Sequence, residues 1–230
     1  MKKSRLLVAG LTLCVAAAAT AGEARAQTSG TYSFTFGGPG VGGSLVLTYG
    51  AAADAKYPNA YKVTGISGTF FDTSNGLNIV NAPVSGLVPV NNATPEPDNL
   101  LAPNDFSRFA VAAGLPDQSN GYVTYDNLFW PGGSPQTGSD YPPHGGFLDV
   151  YGLLFNVGGG RVVNLWSNGD MGGGVDYGAS VATASTALDY VEGGVAVSAT
   201  PEPGSLWLLG VGGVGIVGVL AGRRRAAARA

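Results

Sequence analysis

Between residues 27 and 199 the chain offers no stretch that could bury one face of a long helix. Its apolar residues come in short β-branched and aromatic runs, cut every few positions by Gly, Asn, Asp or Pro, and 38 of the 230 residues are glycine. A helix needs an apolar stripe that recurs every three to four residues over ten or more positions, whereas a strand needs alternation over only four to eight. The pattern predicts an antiparallel all-β domain. Thr31 to Phe36 alternates, with Tyr32, Phe34 and Phe36 on one face and Ser33 and Thr35 on the other. Gly37 to Gly40 turn the chain into Ser44 to Tyr49. Tyr61 to Phe71 reads as a strand pair or a bent strand, because Gly65 and Gly68 interrupt it where a bulge or a close backbone approach is expected. After Leu77 to Val90 comes a stretch rich in Pro, Asn, Asp and Gly, Asn91 to Pro143, read as elaborate loops. Gly146 to Asn156 and Arg161 to Ser167 pair as a hairpin across Val157-Gly158-Gly159-Gly160, and Val191 to Ser198 is the last strand, with Val191, Val195 and Val197 on one face. Roughly seven to ten strands in one chain imply two packed sheets. The expectation is a jelly-roll-like antiparallel β-sandwich, with a β-barrel as the alternative.

The two ends speak of delivery. Lys2, Lys3 and Arg5 precede an apolar run from Leu6 to Ala19, and Ala24-Arg25-Ala26 supplies small residues at the positions a signal peptidase reads. Residues 1–26 are therefore read as a secretory signal peptide, handled by the Sec translocon and cut after Ala26. Cys14, the sole cysteine, follows Leu13 rather than a small residue and is read as a passenger in that segment, not a lipidation site. The mature chain then has no cysteine, which excludes disulfides, thiol catalysis and cysteine-ligated metals. At the other end, Thr200-Pro201-Glu202-Pro203-Gly204 is followed by seventeen uncharged residues, Leu206 to Gly222, and by Arg223, Arg224, Arg225 and Arg229. At ~1.5 Å per residue the apolar run spans roughly 25 Å, somewhat short of a ~30 Å hydrocarbon core, so a single marginal transmembrane helix is expected over 206–222. The arginines behind it are retained in the cytoplasm under the positive-inside bias, which leaves the domain at 27–199 outside the inner membrane.

This order of a Pro-Glu-Pro break, an apolar span and terminal arginines resembles the PEP-CTERM sorting signal, a bacterial envelope tag. The resemblance covers residues 199–230 only. It implies that an exosortase recognises the tail and cuts near Pro201, Glu202 and Pro203, and that the body passes from an inner-membrane-anchored precursor to the cell surface or extracellular matrix, in company with exopolysaccharide. The same signal occurs on ice-binding proteins, but threonines such as Thr64, Thr69 and Thr73 form no regular ladder of the kind ice recognition wants.

Charge and chemistry narrow the body further. Only Lys56, Lys62, Arg108 and Arg161 fall between residues 27 and 199, against thirteen acids, so this region carries about −9 where the whole chain carries −3. Such a surface argues against nucleic acid and anionic membranes as partners, and is compatible with neutral glycans or divalent cations. The single histidine, His144, sits in a turn-like Pro-Pro-His-Gly-Gly context with no nucleophile or orienting carboxylate marked beside it. Between residues 27 and 199 the only glutamates are Glu96 and Glu192, and no carboxylate pair stands at strand spacing, so glycoside hydrolysis has no visible acid and base. The chain is read as a substrate of the sorting machinery and not as an enzyme. Two clusters are candidate binding sites. Asn168-Gly169-Asp170-Met171-Gly172-Gly173-Gly174-Val175-Asp176 holds the hard oxygens that Ca²⁺ requires, with Asp170 and Asp176 as the candidate ligands and a plain Gly-rich hairpin connection as the rival reading. Tyr125, Asp126, Asn127 and Trp130 combine ring faces with hydrogen-bonding groups, the inventory of a carbohydrate site, with core packing of Phe129 and Trp130 as the rival. A secreted glycan-binding or glycan-active protein with the same address is the alternative function, and a glycan-active enzyme would be marked by a buried carboxylate pair in a cleft.

Overall fold

The computed structural model describes residues 29–97, 101–135 and 144–202. Eleven strands are formed: β1 Gly30–Gly37, β2 Val41–Ala53, β3 Tyr61–Asp72, β4 Ile79–Leu87, β5 Ser107–Ala110, β6 Tyr122–Tyr125, β7 Leu128–Phe129, β8 Leu153–Val157, β9 Arg161–Asp170, β10 Val175–Ala182 and β11 Ala187–Pro201. Among the described residues there is no α-helix, only two short 3₁₀ turns.

The expected sandwich is overturned by the pairing. Going round in the order β1-β2-β3-β4-β8-β9-β10-β11, each strand pairs antiparallel with the next, and β11 pairs antiparallel with β1. The sheet closes on itself as an eight-stranded up-and-down barrel, the architecture held as the alternative. Strand count and alternation are the same for either arrangement; what decides is the seam from Tyr32↔Pro201 to Gly37↔Ala196, which uses backbone groups that an open sheet would leave as edges.

Bending devices make closure feasible. Gly68 has φ +140°, and a Cβ built there would stand 2.0 Å from Ser44 O, so a β2–β3 approach this close admits only glycine. The register then shifts between Thr48↔Gly65 and Tyr49↔Val63, leaving Thr64 as the extra residue of a bulge. The predicted Arg161 hairpin forms as well, with Val157 opposite Arg161 and positive φ at Gly159 and Gly160.

The interior is filled with side chains, as eight strands allow. Tyr32, Phe34 and Phe36 of β1 point inward as predicted, among Leu45, Leu47, Val63, Phe70, Phe155, Val163, Leu165 and Val181. Burying each large side chain of this kind contributes about 1.5–3 kcal/mol. One end of the barrel is closed by rings: Phe129 stands 4.6 Å from Tyr32, 5.7 Å from Tyr49 and 6.1 Å from Phe147.

Every connection round the barrel is short except the one from β4 to β8. The described residues of that excursion, 88–97, 101–135 and 144–152, fold back on the outer wall. Its β5–β6 hairpin brings Val123 and Tyr125 against outward-facing Leu154, Val162 and Ala182 in a second, smaller core. The described part of the stretch read as loops is thus a packed cover.

The expected transmembrane helix at 206–222 lies outside the described residues, as do the signal peptide with Ala24 and Ala26, Pro203, and Arg223, Arg224 and Arg225. Among the described residues no helix is long and apolar enough to cross a membrane.

Candidate functional site

Where the cover meets the barrel, two clefts open on either side of Val150 and Tyr151. The first, about 290 Å³, is lined by Glu96, Ser119, Asn120, Tyr122, Val123, Thr124, Asn164, Trp166 and Tyr190. Its platform is built on neighbouring strands. Trp166 of β9 lies opposite Gly178 of β10, where a Cβ would fall 2.1 Å from the indole, so the missing side chain is the ring's bed. Tyr190 of β11 leans on the same indole at 5.4 Å between ring centres. Asn168 Oδ1 accepts the indole N–H at 2.9 Å, which fixes the ring's orientation. Two residues before it on the same face, Asn164 commits both amide hydrogens to Tyr151 O and Leu153 O, each at 3.1 Å, which leaves its carbonyl oxygen as the group it can offer.

The facing rim comes from the cover. Arg108 Nη2 donates to Glu96 Oε1 at 2.6 Å, Tyr122 Oη donates to the same oxygen at 2.9 Å, and the guanidinium lies 4.5 Å above the Tyr122 ring. The internal Pro95-Glu96-Pro97 is therefore a rim element whose carboxylate is neutralised by its own arginine. Hydroxyl, amide and ring groups converge on a cleft whose lining carries that single compensated charge.

The second cleft, about 280 Å³, is mostly apolar, lined by Tyr57, Pro58, Asn59, Leu101, Trp130, Pro135 and Asp149. Trp130 is 1 % exposed and meets the Tyr57 ring edge-on at 5.0 Å. Asp149 brings a carboxyl group to the wall and is hydrogen-bonded to Asp126, both fully buried. Burial, and then the Asp149 charge, push the Asp126 carboxyl well above its ordinary range; burial pushes Asp149 up as well. Asp126 Oδ2 has no N–H or O–H facing it from another residue, so one proton held on Asp126 and donated to Asp149 satisfies both acids. The remaining lone pairs are used on backbone: Asp126 Oδ1 accepts Leu128 N–H at 2.9 Å, and Asp149 Oδ1 accepts Tyr151 N–H at 3.0 Å and Gly152 N–H at 3.1 Å. The same surroundings, led by burial, raise the Tyr57 phenol to about 12, so it stays neutral and donates to Leu101 O at 2.6 Å.

Of the carbohydrate residues read from sequence, Trp130 lines this second cleft and Asp126 lies behind it. Tyr125 is buried, its hydroxyl bonded to Pro89 O at 2.7 Å. Asn127, at φ +55°, uses its amide to bridge Val88 O and Leu154 N–H, each at 2.8 Å, where β4 and β8 diverge. The two calcium candidates also have structural partners: Asp170 accepts Gly172 N–H at 2.8 Å in the β9–β10 turn, and Asp176 accepts Gly194 N–H at 2.8 Å on β11. No group of three or more metal-ligating side chains occurs among the described residues. His144 is exposed, its carbonyl accepting Asp170 N–H at 2.9 Å.

Sequence reasoning missed Asn164, Trp166, Tyr190 and Asp149. A signal for the first two was present: Val162, Asn164 and Trp166 alternate with Val163 and Leu165, a strand with apolar residues on both faces, which is the mark of a strand covered on both sides.

No curated protein and no solved structure matches the chain. A family model described as the PEP-CTERM protein-sorting motif matches residues 199–225. The chain thus carries a PEP-CTERM sorting motif at its C-terminal end, and that motif implies an exported protein of the cell envelope or surface, processed by an exosortase.

Proposed function

We propose that the barrel is a glycan-binding module displayed by the exosortase route, holding a neutral saccharide of the exopolysaccharide matrix in the cleft beside Trp166. Before processing, the precursor waits at the inner membrane on its tail. The observation that carries the reading is the company Trp166 keeps: Tyr190 beside it and Tyr122 on the facing rim, with the carbonyl of Asn164, the amide of Asn120 and the hydroxyls of Ser119 and Thr124 around one opening. Sugars present an apolar face to rings and a rim of hydroxyls to amides, so these are the groups a pyranose needs. The compensated Glu96 and the acidic body both disfavour an anionic chain.

Binding without hydrolysis is the reading the acids support. Asp126 and Asp149 are a buried carboxylate pair beside a cleft, but they touch each other through a shared proton, whereas glycosidase acids stand ~5–9.5 Å apart with the scissile bond between them. The test is retention of residues 27–202 on immobilised native exopolysaccharide and on an array of neutral glycans, with wild type and Trp166→Ala compared. Loss of one stacked ring should weaken binding about 10-fold; because Trp166 is largely buried, the melting temperature falls as well, so retention is compared at a temperature where circular dichroism shows both proteins folded, and no reducing ends should be released by wild type. Absence of wild-type binding to any neutral glycan, or binding indifferent to Trp166→Ala, would sink the proposal.

A further inference from the structure

The sorting motif does not start where the barrel stops. β11 keeps its register with β1 through Thr200↔Ser33 and Pro201↔Tyr32. Glu202 N–H then donates to Thr31 O at 3.0 Å, and its Oε1 accepts from Ser33 Oγ at 2.8 Å. Two of the three Pro-Glu-Pro residues are therefore attached to the barrel wall, with the backbone N–H and one carboxylate oxygen of the exposed Glu202 engaged by β1. An enzyme that reads this glutamate and cuts nearby needs the same groups and an extended substrate of its own. It competes with β1 for them.

The seam is made to open locally. Pairing of β11 with β10 ends at Val195↔Tyr177, so residues 196–201 are paired with β1 alone, and only Val197 and Ala199 among them pack against the core. Release of Thr200 to Glu202 breaks only the outermost rungs of that ladder and leaves Phe34↔Ala199 to Gly37↔Ala196 and the other pairings of the barrel in place, and short terminal segments of this kind open at a small fraction of the global unfolding cost.

We propose that the folded barrel masks its own sorting motif, and that the exosortase acts on the form in which β11 has peeled from β1 back to Thr200. The rate of processing is then set by the stability of the β1–β11 seam. Ser33 and Thr200 face each other on the outer wall, and export removes Cys14 with the signal peptide, so a disulfide between cysteines at these two positions has no competing thiol.

The full-length Ser33→Cys, Thr200→Cys chain, expressed in a host that supplies the exosortase, tests this by conversion of precursor to processed protein on a gel. With the disulfide formed, conversion should be at least 10-fold slower than for wild type; added reductant on isolated membranes should restore it. Ser33→Ala, which removes the hydroxyl that holds Glu202 and leaves the motif intact, should be processed about 2- to 5-fold faster than wild type. An oxidised lock cut as fast as its reduced form would overturn the proposal. If both forms resist cutting, Ser33→Ala decides: processing no faster than wild type also overturns it.

Discussion

A carboxyl group buried without a cation has two ways to survive, and Asp126 takes the one that keeps its proton. Its folded-state affinity for that proton lies above the ordinary carboxylate value, first through desolvation and then through the Asp149 charge. The native barrel therefore holds a proton that the unfolded chain releases near pH 4. Stability contributed by the pair is fully present below that pH and declines as pH rises toward the raised folded-state value. Asp126→Asn keeps the acceptor for Leu128 N–H and replaces the shared proton by an amide N–H. Melting curves from pH 4 to pH 9 should show this variant close to wild type at the acid end, and more stable than wild type at the alkaline end. Asp149→Ala behaves differently, since it takes the acceptor from the buried Tyr151 and Gly152 N–H groups. A loss of about 2–4 kcal/mol in denaturant titration is expected across the range. A second buried pair, Asp72 and Asp189, shares its geometry: Asp72 Oδ2 lacks an N–H or O–H from another residue, Asp72 is pushed up by burial, and Ser74 and Asn75 donate to Asp189.

For the strands, what matters is which backbones come within a side chain's width of each other. Two glycines separate stability from function. At Gly68, the added methyl of Ala meets the backbone oxygen of Ser44 at 2.0 Å with φ at +140°, and neither strand can yield without breaking the β2–β3 ladder. Gly68→Ala should cost more than about 3 kcal/mol. At Gly178 the methyl meets the Trp166 indole, a side chain held by Asn168 and Tyr190 that must shift out of its place to make room. Gly178→Ala should therefore lower the melting temperature modestly, an overpacking cost of about 1–3 kcal/mol, while reducing glycan retention as Trp166→Ala does. Retained binding in a folded Gly178→Ala protein would show that the indole position is not what the ligand reads.

The whole molecule is held closed by its first and last strands, and the closing strand runs past the expected end of the domain. The body was expected to end at residue 199, yet β11 continues to Pro201 and Glu202 is clasped by Thr31 and Ser33. Residues 27–202 should melt about 2–4 °C above residues 27–199, the difference that roughly 1 kcal/mol of hydrogen bonding makes in a domain of this size. Scanning calorimetry of the two fragments checks this, and equal melting temperatures would mean that the clasp adds no stability.

Local chemistry was enough to read strand class, sorting motif, the shared face of Tyr32, Phe34 and Phe36 on β1, the bulge near Gly65 and Gly68, and the Arg161 hairpin, because alternation, turn glycines and short motifs act over a few neighbouring residues. Barrel rather than sandwich was decided by pairing between Tyr32 and Pro201, partners too far apart in the chain for any local pattern to register. The site was hidden for the same reason. Trp166 and Tyr190 become a platform only through β10 between them, and Asp126 meets Asp149 only after the excursion has folded back on the barrel. Tyr125, Asp126 and Asn127 carry the residue types of a sugar site, but types do not say which way a side chain points. The cover turned those groups inward and left the outer wall of β9 to line the cleft.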